Sequence, residues 1–440
     1  MSSLPHSFSP DSIDWHPERD KLYAELHSRP FKIIQTDALI THIALLSNET
    51  QRVQQQETLL SFLQDLSIDV ECCEGSCQVY QTNDLLIRYE QHLEFTTLTI
   101  TEHQHSLSSV APFSKSALQR LPCDWFERFP GRVIAAFHLH IVFTPTTSLP
   151  RPQTLKTYFA NTLMVGSLPQ NGDAQIWTNF QTHEDGFGRF LVFNLNMTKG
   201  QMGRMVQRLI EIEQYRLLTL LGYMKARSLT SDLKKMDQAL ASITDELAHG
   251  CQSDDQLLLN DLSHLAASIE NIRAKTTFRF NASLAYYDVL VARIEDLKEN
   301  EVSGHLTLKE FLKRRLSPAV NSCTSAQERL ESLSRRVNRA SDMLRTRVEL
   351  SVHSQNQQLL SAMERRSRIQ LAMQHTVEGL SVAAISYYTI GLLKLMVDSL
   401  YELGILVNKQ WVLGISIPVV VVGIWWLTRR IKNKYKALAR

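Results

Sequence analysis

The chain has few of the residues that interrupt regular structure. Its 440 residues include only 16 glycines and 13 prolines, and eleven of the prolines lie before residue 170. A low content of both residues favours helix over a turn-rich all-β chain. Between Arg204 and His375 there are one proline and three glycines. We therefore expect a mixed, turn-rich first part followed by a long helical second part.

Cysteine and net charge are also low. The six cysteines form no CxxC pair, and the N-terminus carries no secretory signal. This pattern fits reduced thiols in a cytosolic setting better than a disulfide framework. The net charge is only +2, from 47 basic and 45 acidic side chains, which gives no global field to attract nucleic acid. We therefore predict that nucleic acid is not a partner.

Motifs that mark common enzyme classes are absent from the sequence. There is no phosphate-binding P-loop, GxSxG nucleophile elbow, HExxH zinc motif or dinucleotide fingerprint. The short Gly186-Phe187-Gly188 stretch does not make a nucleotide site. The sequence therefore predicts a non-enzymatic protein without a cofactor.

Long uncharged runs do occur, and they lie near the C-terminus. Residues 411–428, WVLGISIPVVVVGIWWLT, would form a helix of about 27 Å, close to the thickness of one bilayer core. Residues 379–397, GLSVAAISYYTIGLLKLMV, are interrupted only by Lys394. That lysine lies near the end of the run and can extend toward the interface. Residues 398–410 connect the two runs and are few enough to require a hairpin. The sequence therefore predicts a transmembrane hairpin, with the lipid bilayer as partner.

Basic residues are concentrated outside this hairpin. The tail after the second run contains Arg429, Arg430, Lys432, Lys434 and Lys436. Three arginines also precede the first run, whereas the connection has only Lys409. Because positive charge stays on the cytoplasmic side, this predicts a multi-pass protein of the bacterial inner membrane with both termini in the cytoplasm.

Besides its apolar residues, the first run carries four polar ones: Ser381, Ser386, Thr389 and Lys394. Small hydroxyl side chains both mediate helix packing and line pores in membrane proteins. Both interpretations stay open, and a lysine at a pore mouth would oppose cation passage.

Apolar residues recur at alternating spacings of three and four through the second part. Examples are Leu233, Leu240, Leu258, Leu262 and Ile269. This spacing is typical of helices that pack lengthwise, in the manner of coiled coils. Self-association into a homo-oligomer and antiparallel packing within one chain satisfy it equally well.

The next helix is expected to be long. Ser317 and Pro318 are typical of an N-cap and a first helical residue, and residues 319–376 contain neither glycine nor proline. This predicts a helix that begins there and runs into the first span. Its arginines would bind anionic lipid or form ion pairs with neighbouring acids such as Glu331 and Glu364.

Before residue 200 the periodicity changes to two, which indicates strands. The predicted strands are 41–47, 71–81 with a turn at Gly75, 94–101, 132–143, 163–168, 174–179 and 189–194, with helices at 51–66 and 115–120. The turn Asn171 to Asp173 predicts a hairpin. The expected fold class is α+β, with a head whose sheet is mainly antiparallel.

Two histidine pairs are candidates for a metal site. His103 with His105, and His138 with His140, have the i, i+2 spacing that places both side chains on one face of a strand. No carboxylate or cysteine has a matching spacing. The alternative interpretation is a pair of ordinary strand residues, and the prediction is that no metal is bound.

Several long segments carry a family resemblance. They include RYEQHLEFTTLT (residues 88–99), GRMVQRLIEIEQYRLLTLL (203–221), FRFNASLAYYDVLVARI (278–294) and EFLKRRLSPAVNSC (310–323). Together with HPERDKLYAELHSRPF (16–31) and segments within 333–388, they make the chain similar to the bacterial membrane-anchored proteins catalogued as domain of unknown function 3422. The resemblance spans nearly the whole chain. It implies membrane anchoring and carries no biochemical activity.

The architecture also resembles the CorA-type cation channels, which combine a cytosolic α/β domain, a long helix and two C-terminal spans. Their Gly-Met-Asn signature after the first span is absent, and the sequence there reads DSLYELGILVNKQ. The resemblance implies an oligomeric cation channel as the alternative function.

The predicted organisation has five parts. They are an N-terminal segment (1–30), an α+β head (31–198), a long-helix stalk (199–375), a transmembrane hairpin (376–428) and a basic tail (429–440). The leading hypothesis is a cytosol-facing scaffold or interaction module held in the membrane by the hairpin.

Overall fold

The chain divides into two compact units, residues 1–340 and 341–440. The computed structural model describes residues 14–20, 22–23, 32–35, 37–65, 76–104, 107, 111–122, 125–249, 255–404 and 408–438. The sheet and the long helices up to residue 340 belong to the same unit.

The first unit is built on a nine-stranded mixed sheet. In chain order the strands are β1 (Ala38–Leu46), β2 (Cys77–Gln81), β3 (Leu85–Gln91), β4 (Phe95–His103), β5 (Arg132–Phe143), β6 (Val165–Leu168), β7 (Ala174–Thr178), β8 (Gly188–Asn194) and β9 (Asn300–Glu301). Their order across the sheet is β2-β3-β4-β1-β5-β8-β7-β6-β9. The pair β5 and β8 is parallel and the other pairs are antiparallel.

Seven α-helices have both ends within the described residues. They are α1 (Glu49–Asp65), α2 (Trp125–Arg128), α3 (Pro152–Leu155), α4 (Lys199–His249), α5 (Asp255–Asp296), α6 (Leu308–Glu402) and α7 (Lys409–Leu438). The two-residue strand β9 follows α5 in the chain and pairs with β6 at the edge of the sheet. The helical part of the sequence therefore contributes one strand to the sheet.

The predicted elements agree well with this structure. β5 has the predicted bounds, and six further predicted strands fall on β1, β2, β4, β6, β7 and β8. The first half of the predicted 71–81 strand lies outside the described residues. The predicted helix at 115–120 is a 3-10 turn, Ala117–Arg120, and β3 and β9 were not predicted.

The sheet separates two hydrophobic cores. On one face, Leu39, Ile43 and Ile100 pack with Leu59 and Phe62 of α1. On the other face, residues including Ile40, Phe137 and Val192 pack with Leu209 of α4 and Leu290 of α5. Because successive strand residues alternate between faces, β1, β5, β7 and β8 contribute to both cores. The result is a three-layer α+β unit.

The apolar residues at three-four spacing in α4 and α5 pack against other helices of the same chain. Glu211 of α4 contacts Arg293 of α5, and farther along Gly222 contacts Ser283, so the two helices run antiparallel. Leu240 of α4 and Leu262 of α5 are buried. Of the two interpretations of the three-four spacing, intramolecular packing therefore accounts for these residues.

The first part of α6 joins this pair of helices. A Cβ added at Gly222 would lie 3.2 Å from Sγ of Cys323, which reflects a close approach of α4 and α6. Asp237 of α4 accepts hydrogen bonds from Arg329 (2.7 Å) and Arg336 (3.0 Å) of α6. These two arginines thus pair with another helix, whereas Arg335 pairs with the predicted neighbour Glu331.

The prediction that this helix begins at Ser317 and Pro318 was wrong. α6 begins at Leu308, and Pro318 lies inside it. Thr307 is the N-cap, because its Oγ1 accepts a hydrogen bond from the Glu310 N–H at 3.1 Å. Glu299 accepts hydrogen bonds from the N–H groups of residues 308 and 309. These hydrogen bonds satisfy the free N–H groups of the first turn, so they stabilise the start of α6 at Leu308.

The second unit contains the rest of α6 and all of α7. Both helices are long and apolar enough to cross a membrane. Almost none of the apolar window of α6, and none of that of α7, is buried in the chain. Such exposed apolar helices are typical of membrane spans, whereas the core helix of a soluble protein is buried.

Candidate functional site

A cavity of about 260 Å³ lies in the first unit between the sheet and α4. Its floor is formed by β3 and β4, its roof by residues 203–215 of α4, and further residues come from α5 and from the segment before β1. Charged and polar side chains line much of it: Lys32, Arg88, Glu90, His92, Thr99, Thr101, Gln207, Glu211, Gln214, Tyr215 and Arg293.

The strand register places one row of side chains beneath α4. Arg88 of β3 is paired with Thr99 of β4, Thr99 with His42 of β1, and His42 with Phe137 of β5. Phe137 is in turn paired with Gly188 of β8. Four distant parts of the sequence therefore meet in a single row, with the cavity at the Arg88 end.

His42 connects this row to the helix above it. Its Nδ1 lies 2.8 Å from Oγ1 of Thr99, and its Nε2 lies 3.1 Å from Oε1 of Gln214. Burial lowers the pKa of His42 to about 3, against an opposing effect of the Gln214 hydrogen bond. The neutral imidazole therefore fixes the orientation of Gln214, which lines the cavity.

The charged groups of the cavity are paired in part. Arg88 donates a hydrogen bond from Nη2 to Oε1 of Glu90 at 2.9 Å, and its buried Nε has no hydrogen-bond partner. Glu211 is paired with Arg293 and accepts a hydrogen bond from Nε2 of Gln207 at 3.0 Å. Both carboxylates are thus already held by the protein.

A second group of contacts begins at Tyr215, which lines the cavity. Tyr215 stacks on Tyr286 of α5 with ring centroids 5.4 Å apart. The hydroxyl of Tyr286 donates to Glu94 at 2.7 Å, and Glu94 also binds Arg279 through both carboxylate oxygens. Burial and the neighbouring Glu94 raise the pKa of Tyr286. Glu94 therefore joins the end of the sheet to α5.

The segment containing Lys32 is held by the close packing of a glycine. A Cβ placed on Gly203 of α4 would lie 2.0 Å from the backbone oxygen of Lys32. The N–H of Ile34 donates to the carbonyl of Lys199 at 3.3 Å. Only glycine allows this approach without a shift of the backbone, and the approach brings Lys32 to the cavity.

We expect Glu94→Gln to lower the free energy of unfolding by about 2 kcal/mol, because it removes the charge that two half-buried donors, Arg279 and Tyr286, share. Hydrogen exchange in peptides from β4 and α5 of the full-length protein measures this loss. Glu57→Gln, at an exposed position of α1, is the matched control. Equal protection in the two variants would show that Glu94 contributes nothing beyond an ordinary surface carboxylate.

The structure places the predicted histidines apart from this cavity. His138 and His140 share one face of β5, as their spacing predicted, but it is the face that packs against α1 and not the face toward α4. His103, at the end of β4, lies on the opposite face, and His105 lies outside the described residues. The sheet thus separates His103 from His138 and His140.

Each histidine of β5 already has other contacts. Nδ1 of His138 lies 2.9 Å from Oγ1 of Thr41, and its ring stacks on Phe187 at 4.4 Å. Nδ1 of His140 accepts the N–H of Phe113 at 3.1 Å. In the residues that the structure describes, no group of three or more His, Cys, Asp or Glu side chains is placed to hold a metal ion.

The polar residues of the first apolar run have separate environments. Ser381 and Thr389 donate hydrogen bonds to backbone carbonyls one turn earlier, at 2.8 and 2.7 Å. Ser386 is buried, whereas Lys394 is exposed. Hydroxyls bonded to their own helix contribute little to a pore lining.

The basic residues after the second run begin with two arginines that cover tryptophans. Arg429 lies over the ring of Trp425 and Arg430 over that of Trp426, each at 5.0 Å. Such pairs are typical of the interface region of a bilayer. The side chains of Lys432, Lys434 and Lys436 lie outside the described residues.

Sequence reasoning did not identify the cavity, although a signal was present. All but four of its lining residues (Lys32, Ile34, Leu86 and Thr101) come from the segments 88–99, 203–221 and 278–294 that carry the family resemblance. The convergence of those segments on one place depends on tertiary contacts and could not be seen along the sequence.

Comparison with known families gives one match. The model of the family described as "Protein of unknown function (DUF3422)" matches residues 14–435. A search of curated proteins gives no significant match. The chain therefore belongs to the DUF3422 family, as its segments predicted.

Proposed function

We propose that this DUF3422 protein is a membrane-anchored, non-enzymatic interaction module. In this proposal, the two C-terminal apolar helices hold the chain in the bilayer and the first unit binds its partner from the cytoplasm. The observation that carries the proposal is the exposure of the apolar windows in α6 and α7. Left in water, these windows would expose long stretches of apolar surface.

The charge distribution supports the proposed orientation. Arg429 and Arg430 follow the second span directly, and Arg365, Arg366 and Arg368 precede the first. Under the positive-inside rule, both flanks remain on the cytoplasmic side. A cytoplasmic first unit agrees with the low number of cysteines.

The cavity supports a binding role for the first unit. It is concave and lined by polar groups that the surrounding structure holds in place, as in ligand sites generally. Its two carboxylates, Glu90 and Glu211, are each paired with an arginine rather than arranged as nucleophile, base and oxyanion donors. We therefore favour binding over catalysis.

The alternative of an oligomeric cation channel makes a different prediction for the purified protein. We expect full-length protein reconstituted in liposomes to give no divalent-cation influx above that of empty liposomes, measured with an entrapped fluorescent indicator. Light scattering corrected for bound detergent should give a monomer or dimer, which has too few spans to enclose a pore.

A closed ring of several copies with cation influx would overturn the proposal and favour the channel. Lys394→Ala tests the same point within one chain, because removing a positive charge near a cation pore would raise its flux. Under the anchored-module proposal, the variant leaves flux at the background level.

A further inference from the structure

We propose that the cavity beneath α4 binds a small molecule bearing a carboxylate or a phosphate, with Arg88 as the main anion-binding residue. This inference rests on the proposed function, because it names the chemistry of the ligand that the first unit binds. It concerns a site that neither the family assignment nor the sequence motifs identify.

The first argument is the polarity of the cavity within an apolar layer. The neighbouring positions of the same sheet face, Ile40, Leu139 and Val192, are fully apolar and pack against the helices. Placing Arg88, Glu90 and Glu211 in the same layer costs free energy of desolvation, which packing alone does not require. A polar ligand gives these groups a role that a hydrophobic core would not.

The second argument is the sign of the charge. The lining contains three cations, Lys32, Arg88 and Arg293, and only two carboxylates, Glu90 and Glu211. The carboxylates are held by Arg88 and Arg293. Among the described residues, Lys32 has no ion-pair partner. One positive charge is therefore left over, which favours an anionic ligand.

The third argument is the unused donor capacity of Arg88. A guanidinium has five N–H donors, and the structure gives Arg88 one ion pair, through Nη2 to Glu90. Its Nε is buried without a partner, while other parts of the side chain line the cavity. A small movement toward an anion would satisfy these donors. Arginine suits carboxylate and phosphate because its planar fork donates to two oxygens at once.

The fourth argument is size. At about 260 Å³, the cavity is smaller than the roughly 300–1,000 Å³ of pockets that hold drug-sized molecules. A ligand that fits would contact β3, α4 and α5 together. We therefore infer a small metabolite-sized anion, and not a lipid chain or a peptide.

The test is calorimetric titration of the full-length protein in detergent with sodium phosphate, succinate, glutamate and the neutral analogue succinamide. We expect at least one of the three anions to bind and succinamide to bind at least tenfold more weakly. The anion that binds decides between phosphate and carboxylate. Equal binding of succinamide, or binding of none of the anions, would overturn the proposal.

Three variants localise the binding. Arg88→Met removes the guanidinium at similar volume, and Ile210→Phe fills the cavity while it keeps every charge. Both should weaken binding by roughly tenfold or more, since a charge-assisted hydrogen bond contributes about 1.5–3 kcal/mol. Arg120→Met is the control, because Arg120 pairs with Asp84 on the surface away from the cavity. It should leave binding unchanged.

The results separate this inference from the proposed function. If Arg88→Met fails to fold, Ile210→Phe decides the outcome, because Glu90 keeps its partner in that variant. Unchanged affinity in Ile210→Phe, or an equal loss in Arg120→Met, would refute the assignment to this cavity. Membrane retention of the same variants is measured in parallel, before they are solubilised. Loss of anion binding with intact retention refutes the ligand class and leaves the anchored module standing.

Discussion

Acidification from pH 7 to pH 5 is expected to destabilise the first unit by about 6 kcal/mol. The cause is the group of three buried histidines, His42, His138 and His140, each almost fully removed from solvent. Burial is the largest cause of their lowered pKa values, which are about 3, about 4 and about 3, against an ordinary value of 6.5.

The sign follows from which state binds protons. Below pH 6.5 the unfolded chain takes up a proton at each histidine, whereas the folded chain keeps them neutral until the pH approaches 3 to 4. The stability is therefore fully present above 6.5 and is lost progressively as the pH falls toward the folded pKa values. At pH 5 each histidine contributes a loss of about 2 kcal/mol. The sum approaches the whole stability of a typical domain.

Hydrogen exchange of the full-length protein measures this effect in peptides from β1 and β5, after correction for the intrinsic pH dependence of exchange. His138→Asn should remove about a third of the pH dependence, because its amide remains neutral beside Thr41. His264→Asn, at an exposed position of α5, should leave the pH dependence unchanged. Equal protection at pH 7 and pH 5 in the unmodified protein would contradict the prediction.

The same histidines show how far the sequence leads. The i, i+2 spacing of His138 and His140 correctly predicts that they share a face. Which face they occupy depends on the register with β1, and the side-chain period of two means that a one-residue shift would exchange the faces. Register is set by contacts distant in sequence. The metal-site interpretation therefore could not be judged from spacing alone.

The cavity also depends on contacts between residues distant in sequence, and to a greater extent than the histidine pair does. Arg88, Thr99, His42 and Phe137 form one row only because β3, β4, β1 and β5 are neighbours in the sheet. In sequence order, β1 comes before β3, yet it lies between β4 and β5. Local pattern predicts single strands such as β5 well, and it carries no information on this order.

Helix ends were predicted less well than helix interiors, for a physical reason. Ser317 and Pro318 have the composition of a helix start, but Thr307 and Glu310 form a reciprocal capping box ten residues earlier, in which each side chain accepts the backbone N–H of the other residue. Ser317 instead lies 2.9 Å from the hydroxyl of Tyr287 on α5. A tertiary contact thus uses the side chain that would otherwise have capped a helix.

The largest effect on location is expected from arginines placed within both apolar windows. The four substitutions replace exposed apolar residues, two in each window: Ile385→Arg, Leu392→Arg, Val419→Arg and Val422→Arg. Each arginine at the centre of a span opposes insertion by about 2.5–3.5 kcal/mol, so each span loses about 5–7 kcal/mol. We expect the protein to leave the membrane fraction on extraction with alkaline carbonate.

The matched control introduces the same number of arginines, all of them in α6 before the predicted spans. Leu359, Leu360, Met363 and Ile369 of α6 are as exposed as the four test positions but lie before the predicted spans. Their replacement by arginine should leave the protein resistant to carbonate extraction, because these residues face water in the anchored protein. Release of both variants would mean that general positive charge, and not the two windows, determines membrane retention. Retention of both would place the anchor elsewhere in the chain. Release of the first variant alone assigns the anchor to residues 379–428, which is the premise on which the cytoplasmic placement of the cavity depends.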